Sequence, residues 1–407
     1  MRKVLIMSHG HPDLNKGGAE LAAYQFFEES LRQGDDAYFL ARTDAEPHGG
    51  AAFSTKNSPR EILMHTTHDD AFLFSNIKTR HLWGDFKNLI EKLSPEVVYI
   101  HHYFFIGIEA IKIIKDALPS AKIVVTLHEY LAICANGGLM KKTNGSLCYK
   151  SSTLDCSQCL KLTEKSPGDF YLRKRYLMTF FSYVDLFISP SKFLKDRYVE
   201  WGLLSEKITV IENGQPKVEK LILTKEASEK TTLCYIGQIN SNKGLDVLLE
   251  SIALLPNEQL QKVQVNIHGT GLDSQPQEFK KKISKLSKKH KDVVSFFGKY
   301  EAEELPSILQ DADWVVVPST WWENSPMVIQ EAYKHQVPVI ASNIGGMKEK
   351  VTDGVDGFHF NVGKPQSLAR VIERVIANPT LHDACKSNIK EPKSIADAYE
   401  LIVSEAF

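Results

Sequence analysis

The sequence predicts two parallel α/β domains in tandem, and three observations lead there. The chain has 407 residues, short β-branched runs alternate with longer amphipathic segments, and that alternation restarts halfway along. A chain this long exceeds one ordinary domain and suits two of about 200 residues each. Apolar residues make up 43% and aromatics 10%, enough to fill two cores. Positive and negative side chains nearly cancel, to a formal charge of −1. That argues against a nucleic-acid binder, which would carry a marked basic excess.

In the first half the expected strands are 3–8, 37–42, 96–102, 122–128, 185–191 and 207–213, with amphipathic segments at 18–33, 83–93 and 106–117. Several of these strands are apolar throughout, as strands covered on both faces should be. The second half repeats the scheme, with strands at 231–239, 263–269, 293–298, 313–319, 337–343 and 357–362. Its helices are expected at 244–255, 275–290, 302–310, 326–335 and 366–377. Strands alternating with helices of this length are the mark of βαβ units. The polar stretch 214–230 reads as the linker. The domains are therefore placed at 1–215 and 216–380, with 381–407 a helical segment returning to the first domain. The Lys-rich run 280–291 has one apolar edge, Ile283 and Leu286, and reads as a solvated helix face.

No apolar run reaches the roughly 20 residues that cross a bilayer. The amino-terminal MRKVLIMSHGHP lacks a small-residue cleavage site and reads as a buried strand. The expected location is the cytoplasm, with peripheral contact at the inner face of the membrane left open.

The chemistry concentrates in 318–346, PSTWWENSPMVIQEAYKHQVPVIASNIGG. It starts at the carboxyl end of a buried strand, where open α/β sheets place their ligands. Ser325 and Pro326 read as N-cap and first helical residue, which would turn free amides toward a phosphate or sugar oxygen. Glu323 stands before this helix and Glu331 within it, and both can accept hydrogen bonds from sugar hydroxyls. Three more elements sit at strand ends. These are Gly17 and Gly18 in KGGAE, Lys243 before Gly244 at a helix start, and the Gly269-Thr270-Gly271 turn. Glycines permit close backbone approach to a ligand, and a lysine can meet a diphosphate.

With these residues in place, the sequence resembles the family 4 retaining glycosyltransferases, over nearly the whole chain. The carrying motif is E-x7-E, here ENSPMVIQE from Glu323 to Glu331, supported by SPS (189–191), ENG (212–214), GQINSNKG (237–244) and HGTG (268–271). The resemblance implies a GT-B fold, with two Rossmann-like domains whose parallel sheets face across a cleft. It implies transfer of a hexose-type sugar from a UDP- or GDP-linked donor to an acceptor hydroxyl, with retention and without a required cofactor. Carried over by position, Glu331 would bind the donor ribose, Glu323 the donor sugar and Lys243 the diphosphate. His128 would face the transferred sugar. Gly17, Gly18, Gly269 and Gly271 would approach the donor by their backbone, with Asn324, Ser325, Pro326, Met327 and Val328 at the helix start. Gln238 stands where many members carry an arginine, and a neutral amide cannot share diphosphate charge.

Four of the six cysteines cluster: Cys134, Cys148, Cys156 and Cys159. The C-x2-C spacing of the last pair suits a tetrahedral ion, and structural zinc is the favoured reading over free thiols and disulfides. The expected partners are the nucleotide sugar and a glycan or lipid-linked acceptor, in polysaccharide or glycoconjugate assembly, with no nucleic acid. Tyr103, Phe104 and Phe105 read as core before acceptor surface, and Arg173, Lys174 and Arg175 as a solvated helix face before an anion site. Competing readings are a nucleotide-sugar epimerase and a non-catalytic subunit of a transferase. A dinucleotide oxidoreductase is weaker, because the G-x-G-x-x-G turn is missing.

Overall fold

The computed structural model describes residues 1–15, 17–45, 50–67, 70–76, 81–217 and 230–407. Lys16 of the KGGAE motif and most of the expected linker, 218–229, lie outside the described residues. The chain divides into two units, Met1–Pro216 with Lys393–Phe407, and Lys217–Pro392.

The first unit contains β1 (Lys3–Ser8), β2 (Asp36–Thr43), β3 (Phe53–Thr55), β4 (Glu61–His65), β5 (Val97–Ile100), β6 (Lys122–Thr126), β7 (Leu186–Ser189) and β8 (Ile208–Val210). They form one sheet in the order β3-β4-β2-β1-β5-β6-β7-β8. All pairings are parallel except β3 on β4. The β3–β4 pair was not expected from the sequence, where EILMH is too short to stand out. Its helices are α1 (Gly18–Arg32), α2 (His81–Leu93), α3 (Glu109–Ala117), α4 (Thr153–Cys159), α5 (Pro167–Phe181) and α6 (Lys192–Trp201).

In the second unit β9 (Thr231–Ile236), β10 (Val263–His268), β11 (Val294–Gly298), β12 (Trp314–Val317), β13 (Val339–Ser342) and β14 (Gly357–Phe360) pair in the order β11-β10-β9-β12-β13-β14, all parallel. Its helices are α7 (Leu245–Ile252), α8 (Asn257–Leu260), α9 (Gln277–Lys289), α10 (Leu305–Gln310), α11 (Met327–Lys334), α12 (Gly345–Lys350), α13 (Pro365–Ala377) and α14 (Thr380–Asn388). Leu233, Val265, Trp314, Ile340 and Phe358 fill the core between sheet and helices. In α9 Ile283 is buried while the lysines of the run are exposed or half-buried, as a solvated face requires.

The chain re-enters the first unit with α15 (Ile395–Ala406). Ser394 and Asp397 form a capping box at its start, satisfying two orphan amides. Tyr399 packs on Phe26 of α1 with ring centroids 5.1 Å apart, and its hydroxyl donates to Asp35, which also accepts from Arg2 at 2.9 Å. The described helices include none long and apolar enough to cross a membrane.

Among the parallel strands both orders reverse direction once, between β1 and β5 in the first unit and between β9 and β12 in the second. Such switch points leave a crevice at the carboxyl ends of the strands, the ordinary ligand position in open α/β sheets. The residues that follow β1, β5 and β6, and those that follow β9, β10 and β12, are thereby brought to the place where chemistry is expected.

Candidate active site

In the second unit Lys243 follows β9 and Glu323 follows β12. Their loops are joined by the Thr320 amide, which donates to the Asn242 carbonyl at 2.7 Å, and the start of α12 holds the second of them, the Gly346 amide donating to the Glu323 carbonyl at 2.7 Å. Gly244 makes this approach workable. Its φ is +71°, and a Cβ there would lie 1.9 Å from the Pro318 carbonyl oxygen.

The result is an ion pair of 2.7 Å between Lys243 Nζ and Glu323 Oε1. The same carboxylate oxygen accepts from Ser319 Oγ at 2.8 Å and from Trp321 Nε1 at 2.8 Å. Lys243 Nζ also lies 5.9 Å from the centre of the Trp321 ring, so one indole touches both charges. Burial alone would raise the Glu323 carboxyl, but Lys243, Ser319 and Trp321 reverse this and hold it below the usual carboxylate range. Glu323 is therefore an anion at neutral pH. Trp321 was not singled out from the sequence. The WWE run was its only signal, and it did not say which indole would turn inward.

Glu331 has the opposite environment. It lies in α11, partly buried, with no side-chain hydrogen bond among the described residues. Burial pushes its carboxyl up to about 7, with Lys334 opposing weakly. Beside it is Tyr300, whose phenol is raised by burial and by the Glu331 charge. Two carboxylates eight residues apart are thus held in different states.

The helix start differs in detail from expectation. α11 begins at Met327 with Pro326 as its N-cap residue and no side-chain cap. Ser325 stands one position further out, so its hydroxyl does not cap the helix. That hydroxyl is instead buried without a hydrogen-bond partner among the described residues. Met327 and Val328 are half-buried in the first turn, and Asn324 precedes them in the loop. Gly269 comes so close to β9 that a Cβ would meet the Gly237 carbonyl oxygen at 1.8 Å, and Gly271 caps a short turn at φ +104°. The Gln238 side chain is exposed, while its carbonyl accepts from Tyr235 Oη at 2.7 Å.

In the first unit the strand ends carry a histidine cluster. His9 Nε2 is 3.0 Å from Glu20 Oε1, and His102 Nε2 is 3.0 Å from Glu129 Oε1. The rings of His9 and His102 are 4.1 Å apart. His128 Nε2 meets His101 Nδ1 at 3.2 Å. Burial lowers the His128 imidazole to about 4, and it moves His101 and His9 in the same direction, so all three are neutral at pH 7. Glu129 is held below its usual range, against the effect of burial, chiefly by the hydrogen-bonded His102. Gly17 is the N-cap residue of α1 and Gly18 its first residue. The sequence pointed to His128 alone among these side chains. The partners His9, Glu20, His101, His102 and Glu129 come from four separate segments that only the sheet order brings together. Tyr103 is core, with Phe104 and Phe105 half-buried beside it.

The expectation of a structural zinc site is corrected by the geometry. Cys134, Cys148, Cys156 and Cys159 do surround one small cavity of about 20 Å³. Yet all are thiols, and no group of three or more His, Cys, Asp or Glu among the described residues is arranged to hold a metal ion. The sulfurs turn to different backbone partners. Cys148 Sγ donates to the Lys150 carbonyl at 3.4 Å, and Cys159 Sγ accepts from the Thr143 amide at 3.4 Å.

Comparison with known proteins gives consistent matches. Residues 16–215 match the family described as Glycosyltransferase Family 4, and residues 218–392 match Glycosyl transferases group 1. An uncharacterised glycosyltransferase of Methanocaldococcus jannaschii is 27% identical over 76% of this chain and 81% of its own length. The lipopolysaccharide 1,2-N-acetylglucosaminetransferase of Salmonella typhimurium is 28% identical over 50% of this chain. The matched part spans 55% of that enzyme, and 51% of a 28% identical protein from the cps region of Klebsiella pneumoniae. Among solved structures, Anabaena HepE in complex with UDP aligns over 100% of this chain and 99% of its own, with TM-score 0.69 and 18% identity. Sucrose-phosphate synthase of Thermosynechococcus elongatus aligns over 100% and 98%, with TM-score 0.68 and 16% identity.

Proposed function

The chain belongs to the family 4 glycosyltransferases of GT-B fold, and we propose that it transfers a hexose-type sugar from a UDP-linked donor to a glycan hydroxyl with retention of configuration. Glu331 carries this reading. A charged carboxylate withdrawn from water is unfavourable unless it is paired, and Glu331 has no partner among the described residues. The two hydroxyls of a ribose would supply the missing donors. Tyr300 beside it offers a ring for the attached base, and the unpartnered Ser325 hydroxyl a contact for the phosphates. UDP is the nucleotide bound in the HepE complex, and the lipopolysaccharide transferase supports a place in glycoconjugate assembly.

Glu323 and Lys243 then divide the reaction centre. Glu323, fixed by Trp321 and Ser319, accepts hydrogen bonds from donor sugar hydroxyls. Lys243 moves between its pairing with Glu323 and the diphosphate, whose charge grows as the glycosidic bond breaks. The bond from the anomeric carbon to the phosphate oxygen breaks, and the acceptor oxygen bonds to that carbon on the same face. The acceptor proton passes to the departing phosphate oxygen. No protein nucleophile takes part. Rate enhancement comes from positioning and from stabilising the leaving group, with Lys243 and the backbone amides standing in for the cation absent at Gln238. In the first unit neutral His128 offers a hydrogen bond to a sugar hydroxyl without placing a second cation there.

Thermal unfolding with UDP, GDP and ADP and their glucose conjugates tests the proposal. A nucleotide at about 100 times its dissociation constant adds roughly 2.7 kcal/mol. Stabilisation by UDP that disappears in Glu331→Ala supports the site, and none by any nucleotide overturns it. Anomeric proton couplings of the product, read by NMR, decide retention.

A further inference from the structure

We propose that the first unit holds an anion pocket, separate from the histidine cluster, that binds a phosphate or carboxylate group carried on a sugar. An open-mouthed cavity of about 380 Å³ is lined by α5, α6 and the segment that follows β6. Ligand pockets range from about 300 to 1,000 Å³, so this one is the size of a single sugar-like group. Five cations line it, Lys150, Arg173, Lys174, Arg175 and Arg197, against one carboxylate, Glu200. The whole chain is nearly neutral, so this excess is a local arrangement.

Arg197 alone of the five forms an ion pair among the described residues. Arg173 forms the inner wall and is 3% exposed. Its guanidinium donates to the carbonyls of Phe72 at 2.6 Å, Leu131 at 2.5 Å and Ala132. Those bonds engage three of its five N–H hydrogens and leave its charge uncompensated, for no carboxylate among the described residues pairs with it. A buried charge in that state sets a positive potential that solvent screens poorly. Glu200 is occupied, since Arg197 Nη1 donates to it at 3.0 Å. Lys150, Lys174 and Arg175 form no ion pair among the described residues. Lys174 Nζ stands 5.6 Å from the Trp201 ring centre, which holds its charge at the wall.

The remaining lining favours a sugar over a bare ion. Trp201 is buried within the pocket, and Tyr149 and Tyr171, 59% and 57% exposed, stand at its rim. Aromatic faces cover the apolar face of a ring while their polar edges remain wet. Arg173 also fixes Leu131 and Ala132, just beyond His128 in sequence. In the proposed reaction the occupant is therefore the acidic group of the acceptor. That assignment rests on the transferase reading; the pocket itself does not.

Titration calorimetry with glucose 1-phosphate and glucuronate, glucose as neutral control and UDP present to fill the donor site, tests the pocket. The variant K150Q/K174Q/R175Q alters exposed side chains only, and its fold is checked by circular dichroism. The wild-type chain is expected to bind one or both anions in preference to glucose, ten-fold or more tightly than the variant, while both bind UDP alike. Equal binding of glucose, or an unchanged variant, overturns the proposal. So does binding only to vesicles containing phosphatidylglycerol, because that outcome describes a bilayer surface. Failure of UDP to bind the wild-type chain counts against the donor reading alone, since the anion titrations are then run without it.

Discussion

Glu331→Gln separates what this carboxylate costs the fold from what it gives the ligand. Burial lifts the carboxyl from 4.5 to about 7. Between those values the folded chain binds more protons than the unfolded one, so stability falls as pH rises through the window and levels off above pH 7. At 1.36 kcal/mol per unit the ceiling is about 3 kcal/mol, and about 1–2 kcal/mol is expected because Glu331 keeps some contact with water. The glutamine variant has no such penalty. Urea unfolding monitored on the second unit should find the two chains equal near pH 4.5 and the variant more stable at pH 8 by that amount. Nucleotide binding should move the other way. Ribose hydroxyls donate more strongly to an ion than to an amide, and hydrogen bonds to charged groups are worth about 1.5–3 kcal/mol. UDP affinity at pH 8 should then fall ten-fold or more in the variant. Near pH 6.5 UDP should release up to ~1 proton from the wild-type chain and none from the variant, read by calorimetry in buffers of different ionisation enthalpy. A glutamine variant no more stable at pH 8, binding UDP as tightly as wild type, would refute both the desolvated carboxylate and its role.

Lys243→Ala leaves Glu323 buried without its cation, and a loss of about 2 kcal/mol in urea unfolding is expected, below the full range for buried pairs because Lys243 is 33% exposed. Trp321→Phe keeps the ring and removes one donor to Glu323, so transfer should slow about ten-fold in kcat with little change in donor KM, a split that steady-state kinetics reads directly. In the first unit His128, lowered to about 4, and His101 and His9 resist protonation in the fold. The unfolded chain then binds more protons, and stability should fall as pH drops from 6.5 towards 4, by up to about 3 kcal/mol for His128. A pH series of melting temperatures should slope less in His128→Gln. Gly269→Ala puts a Cβ 1.8 Å from the Gly237 carbonyl oxygen, and a loss above about 3 kcal/mol by urea unfolding is expected, since backbone must move to admit it.

The alternation of strand and helix was legible because parallel strands buried on both faces are apolar without interruption, and β9, β12 and β13 stand out in any window. The β3–β4 edge was not, since three and five residues leave no period to read. Within the site the backbone positions were legible and the side-chain partners were not. Glu323 and Lys243 could be named from their places after strand ends, and Glu331 from its spacing to Glu323 within the helix that follows. That Lys243 would pair with Glu323, 80 residues away, follows from the sheet order β9-β12 and from Gly244 admitting the Pro318 carbonyl. The cysteines failed for the complementary reason. Spacing in sequence does bring four thiols around one cavity, but coordination needs sulfurs aimed at a common centre, and here local backbone contacts set their direction.

The roles proposed for the two glutamates call for two environments. In the proposed reaction a carboxylate beside a departing diphosphate has to stay ionised, which requires a permanent cation and fixed donors, and Glu323 has Lys243, Ser319 and Trp321. A carboxylate that must select a ligand gains discrimination by being unsatisfied until that ligand arrives. An apolar or mono-hydroxyl competitor leaves it stranded, and a diol does not. On the proposed reading Glu331 meets that requirement, with no partner among the described residues and a carboxyl raised to about 7. Helix α11 enforces the contrast. It puts one residue of the pair in the loop before its first turn, within reach of Lys243, and carries the other to where Lys334 and Tyr300 are the titratable neighbours among the described residues. Supplying Glu331 with an internal partner would then raise stability at pH 8 and lower nucleotide selectivity together, so a gain in one without loss of the other would contradict the division of roles.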